Sequence, residues 1–404
     1  MNLPLKIAKR YLFAKKSHNI INVVSKISVI GIAVCTMAMV IVLSGFNGIE
    51  KIVEEMYSSF DPDLKITLKE GKTFSPSKID TNKIKKIEGV KYFSQIIEET
   101  IILQKEDRVE TCKIKGVELD YLYQTNFEEV INEGSLDLEN ENTPYCFAGF
   151  DIQYRLGFSS NPQYDNTLTI GGMARNKKIS IRSNPLNNKA IQVGGIFKTD
   201  SPNDSKYIFT SLNFAKDLLE FENEITSFEV FLTEEKASSI YKIKKTLQKI
   251  VGDKFEIKTR EEQNSLVFKA TKTEKIAVYI ILCFVLIIAA FSLVASLTLL
   301  ILEKRKDVFT LYSIGLTRKD VRNLFFYEGM LINIFGGLIG IAIGLIICYI
   351  QIGTGVVPMD AQAEIPFPII IKGMDLINII ITVFVIGFIS SYFPVRYLVR
   401  RLEI

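Results

Sequence analysis

The sequence has no tryptophan, one histidine and five cysteines in 404 residues. With His18 alone, Ser–His and Cys–His nucleophilic catalysis is effectively excluded, and a lone histidine beside a basic stretch is incidental rather than metal-binding. No Gly-x-x-x-x-Gly-Lys-Ser/Thr run is present, so the chain lacks a phosphate-cradling loop of its own. Gly-x-Ser-x-Gly, His-Glu-x-x-His and Cys-x-x-Cys are also missing. No long apolar run embeds an acid or base that would relay protons, and Glu328, near the mouth of one run, reads as an interface marker. A chain without a power source does work only if a partner supplies the energy.

Glycine and proline are absent from 253 to 313, so nothing there interrupts a helix. Thr259-Arg260-Glu261-Glu262 has the form of a capping box, and Leu266, Val267, Ala270, Thr273 and Ala277 follow at helical spacing. One helix over 260–302 is expected, about 64 Å long at ~1.5 Å per residue, roughly twice the hydrocarbon thickness of a bilayer. Half of it then stands outside the lipid as a stalk. Residues 49–60 continue the first apolar run in the same way until Asp61-Pro62, giving a second stalk with Ile49, Ile52, Val53 and Met56 on its apolar stripe.

Uncharged runs at 27–49, 276–302, 330–352 and 376–394 each reach the length of a transmembrane helix. Of 49 basic residues, six lie in 1–46, with no acid among them, and ten in 276–404. That leaves 33 against 37 acids for 47–275, so the middle is acidic and the membrane part basic. Basic short loops belong to the cytoplasmic side, and the basic balance here reads as membrane topology, not nucleic-acid binding. The expected organisation is therefore an amphipathic cytoplasmic segment (1–26) and a first span (27–49). An extracytoplasmic domain with flanking stalks (50–275) and a second span (276–302) follow. Then come a cytoplasmic loop (303–323), a third span (324–352), a short external loop (353–373), a fourth span (374–394) and a cytoplasmic tail (395–404). The protein is expected in the inner membrane with both termini cytoplasmic.

Within 64–250, alternating apolar residues predict strands at 64–68, 95–103, 108–117, 190–197, 207–210 and 226–232. Helices are expected over 78–87 after Ser77, from 213, and over 235–251 before Gly252. Helices interleaved with strands predict an α+β domain of one or two lobes. Cys35, Cys283 and Cys348 fall in apolar spans as small hydrophobes, while Cys112 and Cys146 fall where a disulfide is chemically allowed.

Between the second and third spans, Val308, Leu311 and Tyr312 share a face after Lys304-Arg305-Lys306, with Gly315 as a natural helix end. Composition leaves two readings open: a docking knob, or a topology-setting loop touching only headgroups and water. Gly336, Gly340 and Gly344 recur every four residues, a motif that lets helices approach closely, including self-association through that face.

Glu303-Lys304-Arg305-Lys306-Asp307-Val308-Phe309-Thr310-Leu311-Tyr312-Ser313-Ile314-Gly315 resembles the Glu-Lys/Arg-x-x-Glu-Ile-x-x-Leu-x-x-Ile-Gly signature of the MacB/FtsX-type ABC transporter permeases. Phe326-Tyr327-Glu328-Gly329 follows as in that family. Ile7-Ala8-Lys9-Arg10-Tyr11-Leu12, residues 25–32 and Ser44-Gly45-Phe46-Asn47-Gly48 are similar to the entry of its LolC/LolE branch. Residues 149–157 and Val193-Gly194-Gly195-Ile196-Phe197 resemble its MacB-like periplasmic core domain. The resemblance implies an integral membrane, four-helix permease subunit with a large extracytoplasmic MacB-like α+β domain. It is a non-enzyme that binds no cofactor and pairs with itself or a second permease subunit on two cytoplasmic ATPases that bind ATP and Mg.

By the same resemblance, Lys304, Arg305, Lys306, Val308, Leu311, Tyr312 and Gly315 contact the ATPase. Lipoprotein cargo is drawn from membrane lipid past Phe46, Ile49, Val53, Val278 and Leu282. A loop bearing Lys177, Lys178, Arg182, Asn184 and Pro185 meets a periplasmic lipoprotein carrier. Two other activities compete: MacB-like efflux or peptide export, and FtsX-like regulation of a cell-wall hydrolase without transport.

Overall fold

The computed structural model describes residues 20–58, 61–140, 143–160, 166–175, 186–199, 201–233, 239–359 and 365–401. The expected N-terminal amphipathic helix and the loop carrying Lys177 to Pro185 lie outside them. Two compact units divide the chain, one of residues 53–268 and one of residues 1–52 with 269–404.

The helical unit is built on four long helices: Ile20–Ser58, Ser265–Glu303, Arg318–Thr354 and Gly373–Arg401. All four are long and apolar enough to cross a membrane. The fourth runs through Pro394 to Arg401, beyond the expected span. The first is the most enclosed and the second the least. The enclosure of the first comes from the glycine face of the third. A Cβ at Gly340 would collide with the Ala33 carbonyl oxygen, and one at Gly344 would stand 2.8 Å from Val40 Cβ. The expected self-association through Gly336, Gly340 and Gly344 is thus replaced by packing within the chain. Ser25–Ser296 and Ser28–Ser292 hydroxyl pairs, at 3.0 and 3.1 Å, tie the first helix to the second. Gly340→Leu should cost about 3 kcal/mol of overpacking and lower the melting temperature in detergent. Gly353→Leu, where a Cβ meets nothing within 4 Å, is the matched control and should leave it unchanged.

The α/β unit is a sheet with described strands β1 (Leu64–Leu68), β2 (Val90–Lys105), β3 (Arg108–Val117), β4 (Ile131–Gly134), β5 (Glu139–Asn140) and β6 (Thr143–Gly149). It continues with β7 (Thr167–Met173), β8 (Leu186–Phe197), β9 (Tyr207–Ser211), β10 (Ser227–Leu232) and β11 (Phe255–Thr259). The pairing is mostly antiparallel, with β3–β9 and β6–β8 parallel. β2 organises it. Its first half joins β11-β1-β10, and its second half joins β3, β9, β6, β8 and β7, which pair in turn back to β2 as a closed ring. Leu64, Ile66, Ile97, Ile114, Val230 and Ile257 belong to the main apolar core. Helices Leu212–Leu219 and Ile240–Val251 each bury one apolar face, the second through Ile243, Leu247 and Val251. The helix expected over 78–87 is instead a 3₁₀ turn, Pro76–Lys78, and a short helix, Thr81–Lys85, capped by Asp80 rather than Ser77. Cys112 and Cys146 are both free. β9 separates their strands, which puts them two strand spacings, roughly 10 Å, apart and out of disulfide reach. Burial pushes the Cys146 thiol up to about 12.

The expected rod over 260–302 is broken. The Thr259–Glu262 capping box is present, but the helix it starts ends at Gln263, and Asn264 sits at φ −104°, ψ 36°. Asn264 donates to the Asp61 carboxylate, while its carbonyl accepts the Val267 and Phe268 amides at 3.0 and 3.2 Å. A side chain that competes for backbone partners ends one helix and opens the next without glycine or proline. Arg260 and Gln263 hold the same Asp61-Pro62-Asp63 turn: Arg260 Nε donates to the Asp61 carbonyl at 3.2 Å and its terminal nitrogen to Asp63 at 3.1 Å. Gln263 donates to the Pro62 carbonyl at 3.1 Å. Entry to and exit from the α/β unit are thereby clasped.

Candidate functional site

The turn between the second and third long helices is a helix, Arg305–Ser313, closed by Gly315 at φ +99°. Leu316 and Gly315 amides donate to Leu311 and Tyr312 carbonyls at 3.1 and 2.9 Å, the double bond of a left-handed helix end. Thr317 and Asp320 exchange amide and side-chain bonds at 3.0 and 3.2 Å to start the third helix. The knob is therefore fixed at both ends. Its faces are the reverse of those expected. Val308 is 3% exposed, and Leu311 and Tyr312 pack on the bundle's own core. The outward apolar groups are Phe309, 61% exposed, and Ile314, 73% exposed, flanked by exposed Arg305 and Lys306. Lys304 pairs with Asp307 at 2.9 Å. Spacing identified the amphipathic helix but not which of its two apolar edges the bundle covers.

At the opposite end of the bundle, polar groups join three helices. Lys275 Nζ donates to Asn47 Oδ1 at 2.7 Å and lies 3.0 Å from the Asp375 carboxylate. Asn47 Nδ2 donates to Asp375 at 2.8 Å and to the Ile370 carbonyl at 3.0 Å. Lys372 and Glu50 pair at 2.7 Å beside them. Gly48 is required here, because a Cβ would collide with the Pro368 carbonyl oxygen. Phe46, Ile49, Val278 and Leu282, expected to line an entry path, are half-buried in this unit, and Val53, half-buried, belongs to the α/β unit. The clamp was missed by sequence reading, although one polar residue, Asn47, inside an apolar helix was its signal.

Two further expectations change. Leu266 is 85% exposed, and Val267, Ala270, Thr273 and Ala277 are exposed with it, so this stripe is not the one that packs. Phe268 is the buried residue there, with its ring 6.1 Å from Tyr57. Glu328 is 2% exposed within the bundle, and one carboxylate oxygen has no partner among the described residues, so it is not an interface marker. No cluster of histidine, cysteine or acidic residues that would hold a metal is found among the described residues.

The FtsX-like permease C-terminal family matches residues 279–402, which hold the knob, the third and fourth long helices and the second from residue 279 on. The chain carries an FtsX-like permease domain. Over 98% of its length, and 96% of the relative's, this permease is 24% identical to the lipoprotein-releasing system transmembrane protein LolC of Buchnera aphidicola subsp. Schizaphis graminum. It is 25% identical, over the same shares, to an uncharacterized ABC transporter permease of Methanocaldococcus jannaschii. The periplasmic region of MacB from Actinobacillus actinomycetemcomitans is similar at TM-score 0.36 and 14% identity, over 54% of this chain and 97% of that one. That last likeness is too loose to carry an assignment.

Proposed function

We propose that this permease is the non-catalytic membrane subunit of an ABC transporter that extracts lipoproteins from the inner membrane and passes them to a periplasmic carrier. The supporting observation is similarity to LolC along 98% of the chain, joined to the absence of any nucleotide-binding motif of its own. Two permease subunits, identical or not, would seat two copies of a cytoplasmic ATPase that binds ATP and Mg. The ATPase meets Phe309 and Ile314 with Arg305 and Lys306 around them. Both termini are cytoplasmic and the α/β unit periplasmic, following the basic loops. Acyl chains enter beside Phe46, Ile49, Val53, Val278 and Leu282. The loop with Lys177, Lys178, Arg182, Asn184 and Pro185 receives the carrier. Displacement passes through the two long helices that connect the units, the second continuous only from Ser265.

Reconstitution with the cognate ATPase and an acylated lipoprotein in proteoliposomes tests this. Lipoprotein should move to soluble carrier only with ATP and all components. ATP-driven movement of a soluble peptide or hydrophobic compound, with lipoprotein retained, would instead favour MacB-like export. Activation of a bound cell-wall hydrolase with no movement of either would favour the FtsX-like regulator.

A further inference from the structure

Charge is sorted within the α/β unit. Residues 116–142 hold eight acids and no lysine or arginine, while residues 78–91 and 234–258 together hold twelve lysines against six acids. Folding gathers each set. Helices Thr81–Lys85 and Ile240–Val251 touch, and each turns its apolar residues inward, Ile84 in the first and Ile243, Leu247 and Val251 in the second. Their outer faces are left to lysine. Lys83 is taken by Asp80 and Lys244 by Glu262, whereas Lys85, Lys86, Lys242, Lys245 and Lys249 stand exposed around them.

The acidic stretch begins where this face ends. Tyr92, next to exposed Lys91, donates to the Asp120 carboxylate at 2.9 Å, and Lys85 is near enough to Glu118 for its charge to act there. Among the described residues no ion pair crosses that boundary, so the two signs stay apart. The Tyr123 hydroxyl donates to Asp137 at 2.7 Å and holds it beside Asp120, with Glu128 and Glu129 exposed on the turn that follows. Lys198 reaches this side through its amide, which donates to the Val130 carbonyl at 2.8 Å, but one cation against eight acids leaves the sign unchanged. Leu119 and Tyr123 on the acidic side and Tyr241 on the basic side are each more than half exposed. Exposed aromatic groups set among charges are the composition of an interface.

A face positive on one half and negative on the other is self-complementary about a two-fold axis, because each half of one copy meets the opposite half of the other. An anionic lipid surface or an acidic partner would match the lysines and be repelled by the acids beside them. We propose that this face joins the α/β unit to that of a second copy of this chain, with the lysines of Ile240–Val251 opposite residues 119–137. Such a contact rests on the pairing of two permease subunits put forward above, both of them this chain, and is independent of their cargo.

Two differently tagged copies of the full permease, one carrying Thr246→Cys and the other Gln124→Cys, test it through a flexible, water-soluble thiol-to-thiol linker. Both positions are exposed, while Cys112 and Cys146 are buried. A mixed-tag cross-linked dimer is expected, reduced roughly fivefold or more at about 0.5 M salt, where the screening length falls to ~4 Å. Lys242→Glu with Lys245→Glu in the Thr246→Cys copy should reduce it as far at low salt, because like charges then face each other. Adding Glu128→Lys with Glu129→Lys to the other copy should restore it, a recovery that a misfolded variant would not give. Cross-linking indifferent to salt and to both reversals overturns the two-signed face. Tags that co-purify without any cross-link show that the α/β units do not meet there and overturn it equally. Tags that never co-purify overturn the pairing of copies, and this contact with it.

Discussion

Lys115→Met should remove about 3–5 kcal/mol from the α/β unit, a large share of the 5–15 kcal/mol typical of a folded domain. Lys115 is 2% exposed on β3, with Nζ 3.0 Å from Glu229 Oε1 on β10. It donates to the Tyr121 hydroxyl at 3.1 Å, which in turn donates to Glu229 Oε2 at 2.5 Å. The Tyr121 and Phe209 rings lie 5.3 and 5.4 Å from the ammonium. Without the lysine, the fully buried Glu229 carboxylate keeps the Tyr121 hydroxyl as its hydrogen-bond donor among the described residues, and Lys65, opposite it on β1, as the nearby cation. A second variant, compared in urea unfolding, separates this from a simple packing loss. Lys115→Met with Glu229→Gln should recover most of the loss, since the amide still accepts from Tyr121 and no charge is buried. A double variant as unstable as the single one would show that shape, not charge, dominates.

Phe309→Asp should abolish stable association with the proposed partner ATPase while leaving the chain folded. Placing a carboxylate in an apolar socket costs several kcal/mol when unpaired, and ~3 kcal/mol corresponds to on the order of a hundredfold in affinity. Leu311→Asp is the contrasting variant. Leu311 packs inward on the bundle, so its replacement should lower the melting temperature and the yield of monodisperse protein. Co-purification retained in Phe309→Asp would move the docking surface elsewhere. Equal thermal damage from both variants would mean that Phe309 is covered in the assembled permease.

The legible parts of this protein were those written in local chemistry. Long uncharged runs admit only a membrane or a buried core, which made the four helices readable from residue type alone. The capping pairs Thr259–Glu262 and Thr317–Asp320 are three residues apart and close on themselves, so they form wherever the chain leaves the helix start exposed. Strands such as β1 and β3 carried their alternation, whereas β6 and β7, entered through Thr-Pro and ending in Gly-Gly-Met, carried little.

Everything that depended on what covers a face was decided by the fold. Gly336, Gly340 and Gly344 offer a close approach to any helix, and only packing chose the chain's own first helix. Val308 and Phe309 are neighbours of similar apolarity, yet a rotation of about 100° between adjacent residues buries one and exposes the other. Asn264 reads as an ordinary helical residue until Asp61, some two hundred positions earlier, comes within reach of its side chain. Residue type and spacing thus determine which elements form and that they lie in a membrane. Contacts between residues distant in sequence determine which faces remain free to meet a partner, because burial belongs to pairs of elements and not to either one alone.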